Sequence, residues 1–411
     1  MRRHTLMALM MALVGLVLLS ACDEEFKPET EVAGLRVLGL RASPAELAPG
    51  QTAALSALVV DPARPGQKNT LLWIGCDPDP LGLGRSACSD TSVLGDPTKL
   101  VPAGDETPQL PPGVSVIGFN EQAAYTVPAD LFAQLAATDA RRKTGTVGQV
   151  LLFAIGAEVN PLAPREELDA LLDKVRSREI PSVITLFRLR VSEDLPPNTN
   201  PELGELLVNG EPLAPGATLR LASDKPTPLE LTAPDPAFET YTQVAPDGTV
   251  ETKTEQLISA WYSTSGRFEP ERVVLRTGTP LEFRPPDGTK LQPFPENRGG
   301  TLWTVVRDTR GAQSWKEVPF YLCDERLPAP KVTSIETQSE GLVVLHGENL
   351  SSVLDVVVGG RALERGAYSP VRGTYEALLP TGTPSGEYEV VVRGKHCRDE
   401  TLAQRYTVPE S

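Results

Sequence analysis

The sequence predicts a mainly β protein built from consecutive β-sandwich units, the first of them elaborated with two helices. Apolar runs of strand length recur along the 411 residues, and many of the 39 prolines and 34 glycines separate them, as expected for strands joined by turns. One turn sequence with its following strands occurs twice. Two segments are helix-like, and the second of them has the apolar spacing of a helix. We therefore expect several domains, each with its own core.

The first residues have the pattern of a secretory signal. Arg2 and Arg3 precede an uncharged apolar run, Leu6 to Leu19, which is shorter than the roughly 20 residues that a membrane-spanning helix needs. The run ends in Leu-Ser-Ala-Cys, which resembles a bacterial lipobox, in which the cysteine is acylated and becomes the first residue of the mature protein. The resemblance implies a lipidated Cys22. An ordinary signal peptide followed by a chance cysteine is the alternative.

The charge of the chain excludes one class of partner. There are 54 acidic and 39 basic residues, and the formal net charge is −15. Because phosphate binding depends on clustered Lys and Arg, we expect no nucleic-acid partner. The expected location is the cell envelope, with attachment to the membrane through the N-terminal lipid, and the outer membrane or the cell surface is favoured over the inner membrane.

The repeated phrase indicates an internal duplication. Leu47–Thr52 reads Leu-Ala-Pro-Gly-Gln-Thr, and Leu213–Thr218 reads Leu-Ala-Pro-Gly-Ala-Thr. Alternating apolar residues, Asp-Pro-Ala and a strand that carries Trp73 or Trp261 follow each copy. This order resembles the opening of bacterial immunoglobulin-like domains, and the resemblance implies two-sheet sandwiches.

The first unit contains the two helix-like segments. One extends from Pro128 to about Arg142, and the other from Pro164 to about Ile180, where four apolar residues recur at i, i+3, i+4 and i+7. The closing strands are predicted over 147–159 and 183–191.

Two further phrases mark the later units. A Pro-rich linker over 195–201 separates the first unit from the second, which closes with a predicted β-hairpin around the turn Asp308–Gly311. Near the end, Gly-Glu-Asn-Leu at 347–350 and Val-Val-Val-Gly-Gly at 356–360 resemble the immunoglobulin-like fold shared by plexins and transcription factors, abbreviated TIG. The whole arrangement resembles envelope lipoproteins of myxobacterial type.

These observations give a complete predicted organisation. The predicted parts are a signal peptide over 1–21, a lipidated tether over 22–30, an immunoglobulin-like domain with helical insertions over 31–195, a second immunoglobulin-like domain over 201–326 and a TIG-like sandwich over 329–408.

Four cysteines remain after Cys22, an even number in an exported chain, which indicates disulfides. Three connectivities are possible. We favour Cys76 with Cys88, which closes a short loop, and Cys323 with Cys397. No Cys-x-x-Cys pair occurs, so a metal site at these cysteines is disfavoured.

Candidate catalytic and ligand-binding residues are few. A Ser or Cys nucleophile needs a positioned base, and after the predicted signal peptide only His346 and His396 could serve; both are interpreted as solvated surface residues. Asp77, Asp79 and Asp90 lack the spacing of a calcium loop, and the Gly82–Ala87 segment lacks the strand-then-helix context of a dinucleotide fingerprint. We therefore predict no catalytic residue, metal or cofactor.

The four tryptophans allow a weaker hypothesis, a sugar-stacking face. Trp73, Trp261 and Trp303 lie in apolar strand runs, where a tryptophan is usually a core residue, and Trp315 is the one expected to be exposed.

The function expected from the sequence is a lipid-anchored, non-enzymatic binding or spacer module of the cell envelope, with an unknown protein or glycan partner. The alternatives are an exported hydrolase of glycan or peptide with its site in the first domain, and an envelope assembly factor that binds partner strands at an exposed sheet edge.

Overall fold

The computed structural model describes residues 28–79, 88, 110–160, 163–193, 196–244, 249–276, 280–290, 292–338, 341–402 and 405–408. The predicted signal peptide, Cys22, the Gly82–Ala87 segment and Asp90 lie outside the described residues. Within these ranges, no helix is both long enough and apolar enough to cross a membrane. The described residues form three consecutive β-sandwich units, which confirms the predicted fold class.

The first sandwich has eight strands in the order β1-β3-β6-β5-β4-β7-β8-β2. They are β1 (Arg36–Ser43), β2 (Glu46–Leu47), β3 (Thr52–Val60), β4 (Thr70–Cys76), β5 (Val114–Phe119), β6 (Gln122–Thr126), β7 (Thr146–Ile155) and β8 (Ser182–Val191). Only two residues separate β1 from β2, so the chain holds the two ends of this sheet together around one apolar core. Trp73 on β4 is 1% exposed within that core, which confirms its predicted role.

In the described part of the first unit, the helices are α1 (Arg141–Thr144) and α2 (Arg165–Arg176). α2 lies where the periodicity predicts a helix; Leu168 and Leu172 are buried, and Leu168 packs against Ile155 of β7 and the loop that follows it. The helix predicted from Pro128 to Arg142 is a series of turns up to residue 139 instead. The Arg142 guanidinium donates to the carbonyl oxygens of Phe132 (2.8 Å) and Leu135 (3.3 Å), which a continuous helix would use for its own amides.

The second sandwich consists of two five-stranded sheets, β10-β9-β12-β18-β16 and β11-β20-β19-β15-β17, and a separate β13-β14 hairpin. The strands are β9 (Leu206–Val208), β10 (Glu211–Pro212), β11 (Leu219–Ala222), β12 (Thr227–Leu231), β13 (Thr240–Val244), β14 (Val250–Thr254), β15 (Ile258–Ser263), β16 (Arg267–Glu269), β17 (Arg272–Val274), β18 (Leu281–Arg284), β19 (Gly299–Arg307) and β20 (Gln313–Cys323). Trp261 is fully buried in its core beside Phe268. β19 and β20 form the predicted hairpin.

The third sandwich packs two four-stranded sheets, β21-β22-β26-β25 and β24-β23-β28-β29, with a β27-β30 pair. The strands are β21 (Lys331–Thr337), β22 (Leu342–Glu348), β23 (Val353–Val358), β24 (Arg361–Ala362), β25 (Glu364–Ser369), β26 (Thr374–Leu378), β27 (Gly386–Tyr388), β28 (Val390–Gly394), β29 (Asp399–Thr401) and β30 (Tyr406–Val408). One core of Val, Leu and Tyr side chains lies between its sheets.

The two copies of the repeated turn occupy different places in their sandwiches. In both units a short strand pairs in parallel with the last strand: β2 with β8, and β11 with β20. The first turn follows its short strand, whereas the second turn precedes it. Pro-Gly chemistry fixes a local change of direction but not the partner of the strand beside it. The sequence repeat therefore marks similar units without marking equivalent positions.

Candidate functional site: the junction of the first two sandwiches

An apolar cluster joins the outer faces of the first two sandwiches. Leu38 and Leu58 on β1 and β3 pack against Trp303 and Val305 on β19, and Trp315 on β20 lies at its edge. Trp303 is 4% exposed because a neighbouring sandwich covers it, not because it belongs to the core of its own unit. The junction thus buries the kind of aromatic anchor that stabilises protein interfaces.

The start of the described chain belongs to the same junction. The Val32 amide donates to the Ser263 carbonyl (2.8 Å), and the Ser263 amide donates to the Thr30 carbonyl (2.9 Å). Thr30 and Val32 are buried against the second sandwich. Thr30, the last residue of the segment predicted as a tether, therefore lies against the second sandwich.

A buried ionic cluster lies beside these contacts and is organised by Arg310, which follows β19. Its Nε donates to Glu255 Oε1 at 2.6 Å, its Nη2 donates to Glu239, and its Nη1 lies 3.8 Å from Glu46 Oε2. The guanidinium also stacks over the Tyr241 ring, 4.7 Å from the centroid. The side chains of Arg310, Glu255 and Glu46 are 4%, 1% and 2% exposed, so these charges are removed from water and depend on one another.

The Pro-rich linker completes this cluster. The Asn198 amide N–H donates to Glu46 Oε2 (2.9 Å), and its Nδ2 donates to Asp308 Oδ2 (3.0 Å). Asn200 donates to the Ala42 carbonyl at 2.8 Å. The predicted linker is thus a hydrogen-bonded connection between the sandwiches.

Burial changes the proton affinity of the cluster. Desolvation raises the pKa of Glu255 to about 7, against the opposing effect of the hydrogen bond from Arg310. Desolvation also raises the pKa of Asp308, although Asp308 Oδ1 accepts the backbone N–H groups of Gly311 (2.6 Å) and Ala312 (2.8 Å). Near neutral pH the Glu255 carboxyl therefore exchanges between its charged and neutral forms.

Two cavities open at this junction and meet at Arg188 and Gly311. The first, about 470 Å³, lies between Thr144–Val147 and the β13 residues Tyr241 and Gln243. The second, about 430 Å³, lies between β1 and β8 and is lined by Val37, Leu38, Gly39, Leu40, Thr185, Leu186, Phe187, Arg188, Arg307, Gly311 and Gln313. We call the second cavity the β1–β8 groove. Its size is in the range of ligand-binding clefts.

The second and third sandwiches are also joined. The disulfide Cys323–Cys397 connects the end of β20 to the loop after β28, and Cys76–Cys88 closes the local loop of the first unit, so both favoured pairings are present. Arg220 on β11 donates to the Arg398 carbonyl (2.6 Å) and to Asp399. The second sandwich is therefore fixed covalently and by ion pairing to the third.

The repeated turn contributes to this second junction. The Ala362 amide donates to the Pro215 carbonyl (3.2 Å), and the Thr218 amide donates to Asp355 Oδ2 (2.7 Å). Ala217 is 3% exposed and packs against Val357. Burial raises the pKa of Asp355 despite this hydrogen bond.

The structure separates the remaining candidate residues. His346 lies partly exposed on β22, 3.5 Å from Glu336. The prediction of a solvated His396 is wrong: it is 5% exposed, because the junction of the second and third sandwiches covers it, and burial lowers its pKa. Trp315 is half-buried beneath Arg41, whose guanidinium lies 4.8 Å from the ring centroid. Trp73, Trp261 and Trp303 are buried in separate clusters and form no shared face.

Other expectations concern ligands. Asp77 and Asp79 follow β4, and burial raises the pKa of Asp77. Within the described ranges, no group of three or more His, Cys, Asp or Glu side chains is arranged to hold a metal ion.

No pattern in the sequence marks the residues of the ionic cluster. Glu46, Glu239, Glu255 and Arg310 come from distant segments and follow no spacing rule. The one residue that the sequence could have singled out is Arg310, because it lies in the Asp308–Gly311 turn of a hairpin that packs against a neighbouring sheet.

No protein-family model and no curated protein sequence matches the chain. Among solved structures, it is similar to SGBP-B of the Bacteroides ovatus mixed-linkage glucan utilization locus, solved with a mixed-linkage heptasaccharide (16% identity, 52% of this chain and 48% of that chain, TM-score 0.18). It is also similar to extracellular domains 3–5 of Drosophila OTK (13%, 91% and 97%, 0.17) and to the E. coli chaperone DraB (13%, 51% and 98%, 0.25). TM-scores this low assign no function to the chain.

Proposed function

We propose that this chain is a lipid-anchored protein of the cell envelope that acts without catalysis, as a binding module held at a fixed distance and orientation from the membrane. The observation that carries the proposal is the joining of the three sandwiches by buried contacts at both junctions. The first junction combines the Trp303 cluster with the Arg310 cluster, and the second combines a disulfide with the Arg220–Asp399 pair. Such contacts favour a protein whose domains keep a fixed arrangement over a protein whose domains open and close.

The lipobox-like Leu19–Cys22 supports the anchor. In this proposal, 1–21 is removed as a signal peptide and the tether over 22–30 connects the acylated Cys22 to the first junction. The pairing of Thr30 with Ser263 supports this arrangement, because the last residue of the proposed tether lies at the contact between the first two sandwiches. The partner is a protein or a glycan, and the outer membrane or the cell surface is the proposed location.

Membrane fractionation after a high-salt wash tests the anchor. Cys22→Ala removes the acylated sulfur, so this variant is expected in the soluble fraction, while the wild type stays with the membrane. Ala21→Gly, which keeps a small residue before the cysteine, is the matched control and is expected to stay with the membrane. Retention of Cys22→Ala in the washed membrane would show that the anchor is not at Cys22.

A further inference from the structure

The last strand of the first sandwich has one edge that is largely unpaired. β8 pairs with β7 from Ser182 to Val191, whereas on its other side β2 pairs only with Arg190 and Val191. Within the described part of the chain, no strand pairs with that side of 182–189. An open edge of this kind presents backbone donors and acceptors to another strand.

The direction of these backbone groups follows from their neighbours. The Ser192 amide donates to the Leu47 carbonyl, on the open side of β8, at 2.9 Å. Since successive strand residues direct their backbone groups to alternate sides, the N–H and C=O groups of Ile184, Leu186 and Arg188 face the open side as well. The Arg188 carbonyl agrees with this direction: it lies 3.8 Å from the position that a Cβ on Gly311 would occupy.

Two backbone groups on the opposite wall of the β1–β8 groove already have hydrogen-bond partners in the second sandwich. Arg307 Nη2 donates to the Leu38 carbonyl at 3.0 Å, and the Leu40 amide donates to Gln313 Oε1 at 3.2 Å. Side chains of the second sandwich thus occupy the edge of β1. Among the described residues, no strand provides such a partner along the β8 edge from Ser182 to Phe187, of which Thr185, Leu186 and Phe187 line the groove.

The groove differs in charge from the rest of the protein. Its lining includes Arg188 and Arg307 and no Asp or Glu, although the chain carries a net charge of −15. Among the described residues, no carboxylate forms an ion pair with either arginine. Two uncompensated guanidinium groups beside a strand edge favour an occupant with carboxylates.

The outer side of the same edge is apolar. Ile184 and Leu186 are 52% and 46% exposed, and they stand opposite the buried Phe153 and Leu151 across the β7–β8 pairing. A strand added to β8 would extend this apolar row with its own side chains on that face. Arg188 stands on this face as well, because residues i, i+2 and i+4 of a strand share one face. The added strand would therefore place apolar or β-branched side chains beside Ile184 and Leu186 and an acidic side chain beside Arg188.

We propose that the β8 edge over Ser182–Phe187 binds an extended, acidic segment of a partner protein by β-strand addition, with Arg188 and Arg307 contacting its carboxylates. The inference rests on the proposed binding function and names its partner class. Gly311 stands against the Arg188 carbonyl, so the added strand is short and ends there. A second copy of this chain is a poorer occupant, because it would bring the arginines of the two grooves together.

Peptide binding to the full-length mature protein, solubilised in detergent, tests this inference. The probes are ten-residue peptides of valine and threonine in which two same-face residues near one end are aspartate, glutamine or lysine, so that one face presents apolar side chains to Ile184 and Leu186 and the variable side chains to Arg188. We expect the aspartate series to bind, the lysine series not to bind, and affinity to fall with salt. Arg188→Glu should weaken binding of the aspartate series by at least about tenfold. The matched control is Arg176→Glu on the exposed face of α2, which should leave binding unchanged, and both variants should keep the wild-type melting temperature.

Backbone chemistry separates strand addition from simple ion pairing. N-methylation of the peptide at one set of alternate residues should abolish binding, while methylation of the other set should be tolerated, because only one set donates to β8. Equal binding of acidic and basic peptides, an unchanged affinity in Arg188→Glu, or tolerance of both methylation sets would each overturn the proposal. The proposal would also be overturned if sodium polyuronate, an acidic glycan, bound in the groove and no peptide did. None of these results depends on Cys22, so they are distinguishable from failure of the anchor.

Discussion

Removal of Arg310 gives the sharpest test of how the first two sandwiches are joined. The change Arg310→Met keeps most of the side-chain length but removes the positive charge. It leaves Glu255 and Glu239 without their shared partner and removes the cation that lies 3.8 Å from Glu46. Breaking a buried ion pair by removing one partner costs about 3–5 kcal/mol, so we expect a loss of that size in the free energy of unfolding at pH 8.

The loss should depend on pH. In the wild type, burial already raises the pKa of Glu255 to about 7, and without Arg310 the carboxyl should hold its proton to higher pH. At pH 5.5 the uncompensated carboxyl is neutral, so the variant should recover part of its stability relative to the wild type. Arg310→Met combined with Glu255→Gln is the matched variant, and it should be more stable at pH 8 than Arg310→Met alone.

Urea unfolding followed by tryptophan fluorescence is the assay, because Trp303 and Trp315 lie in the apolar cluster of this junction and report its opening. The measured quantity is the free energy of the first transition at pH 5.5 and pH 8. A loss below about 1 kcal/mol at pH 8, in the range of a solvent-exposed ion pair, would refute the view that the cluster is buried and mutually dependent. A loss with no pH dependence would refute the role of Glu255.

Two further predictions concern stability. The double variant Cys323→Ser/Cys397→Ser opens a loop of sequence separation 74, for which chain entropy gives a loss of about 4 kcal/mol in the free energy of unfolding. The double variant Cys76→Ser/Cys88→Ser opens a loop of separation 12, for which the expected loss is about 3 kcal/mol. Limited proteolysis should release the third sandwich only from the first double variant. Because the pKa of Glu255 is raised in the folded state, the folded protein holds more protons than the unfolded protein at pH values above the usual pKa of a glutamate. The free energy of unfolding of the wild type should therefore fall as the pH rises from about 4.5 to about 7. Glu255→Gln should flatten this pH dependence in urea titrations.

Local patterns predicted most of the elements of this fold. α2 forms because its apolar residues share one face, and the β19–β20 hairpin forms around a turn rich in Asp and Gly. The helix predicted from Pro128 failed because of a side-chain contact that apolar spacing does not record: the Arg142 side chain takes the carbonyls of Phe132 and Leu135. The prediction for His396 failed similarly, since this loop position of the third sandwich lies next to the disulfide that joins it to the second sandwich and is 5% exposed.

The candidate site could not have been read from local patterns. The β1–β8 groove exists because β2 is only two residues long and leaves the rest of the β8 edge unpaired. Strand alternation in the sequence identifies β8 but does not state which edge lacks a neighbour. The positive charge of the groove likewise depends on which arginines find carboxylates elsewhere, and Arg190 on the same strand finds Glu46 at 2.9 Å.

The sequence by itself determined the mainly β architecture and the sandwich units, because strand periodicity and turn residues act over a few residues. For the four cysteines after Cys22 it favoured one of three possible pairings. Only the tertiary structure decided that Cys323–Cys397 joins two sandwiches, that the Pro-rich linker is hydrogen-bonded, and that Arg310 collects carboxylates from three distant segments. The physical reason is that burial of charge and pairing of strand edges depend on residues far apart in the chain, and no periodic pattern in the sequence records those distances.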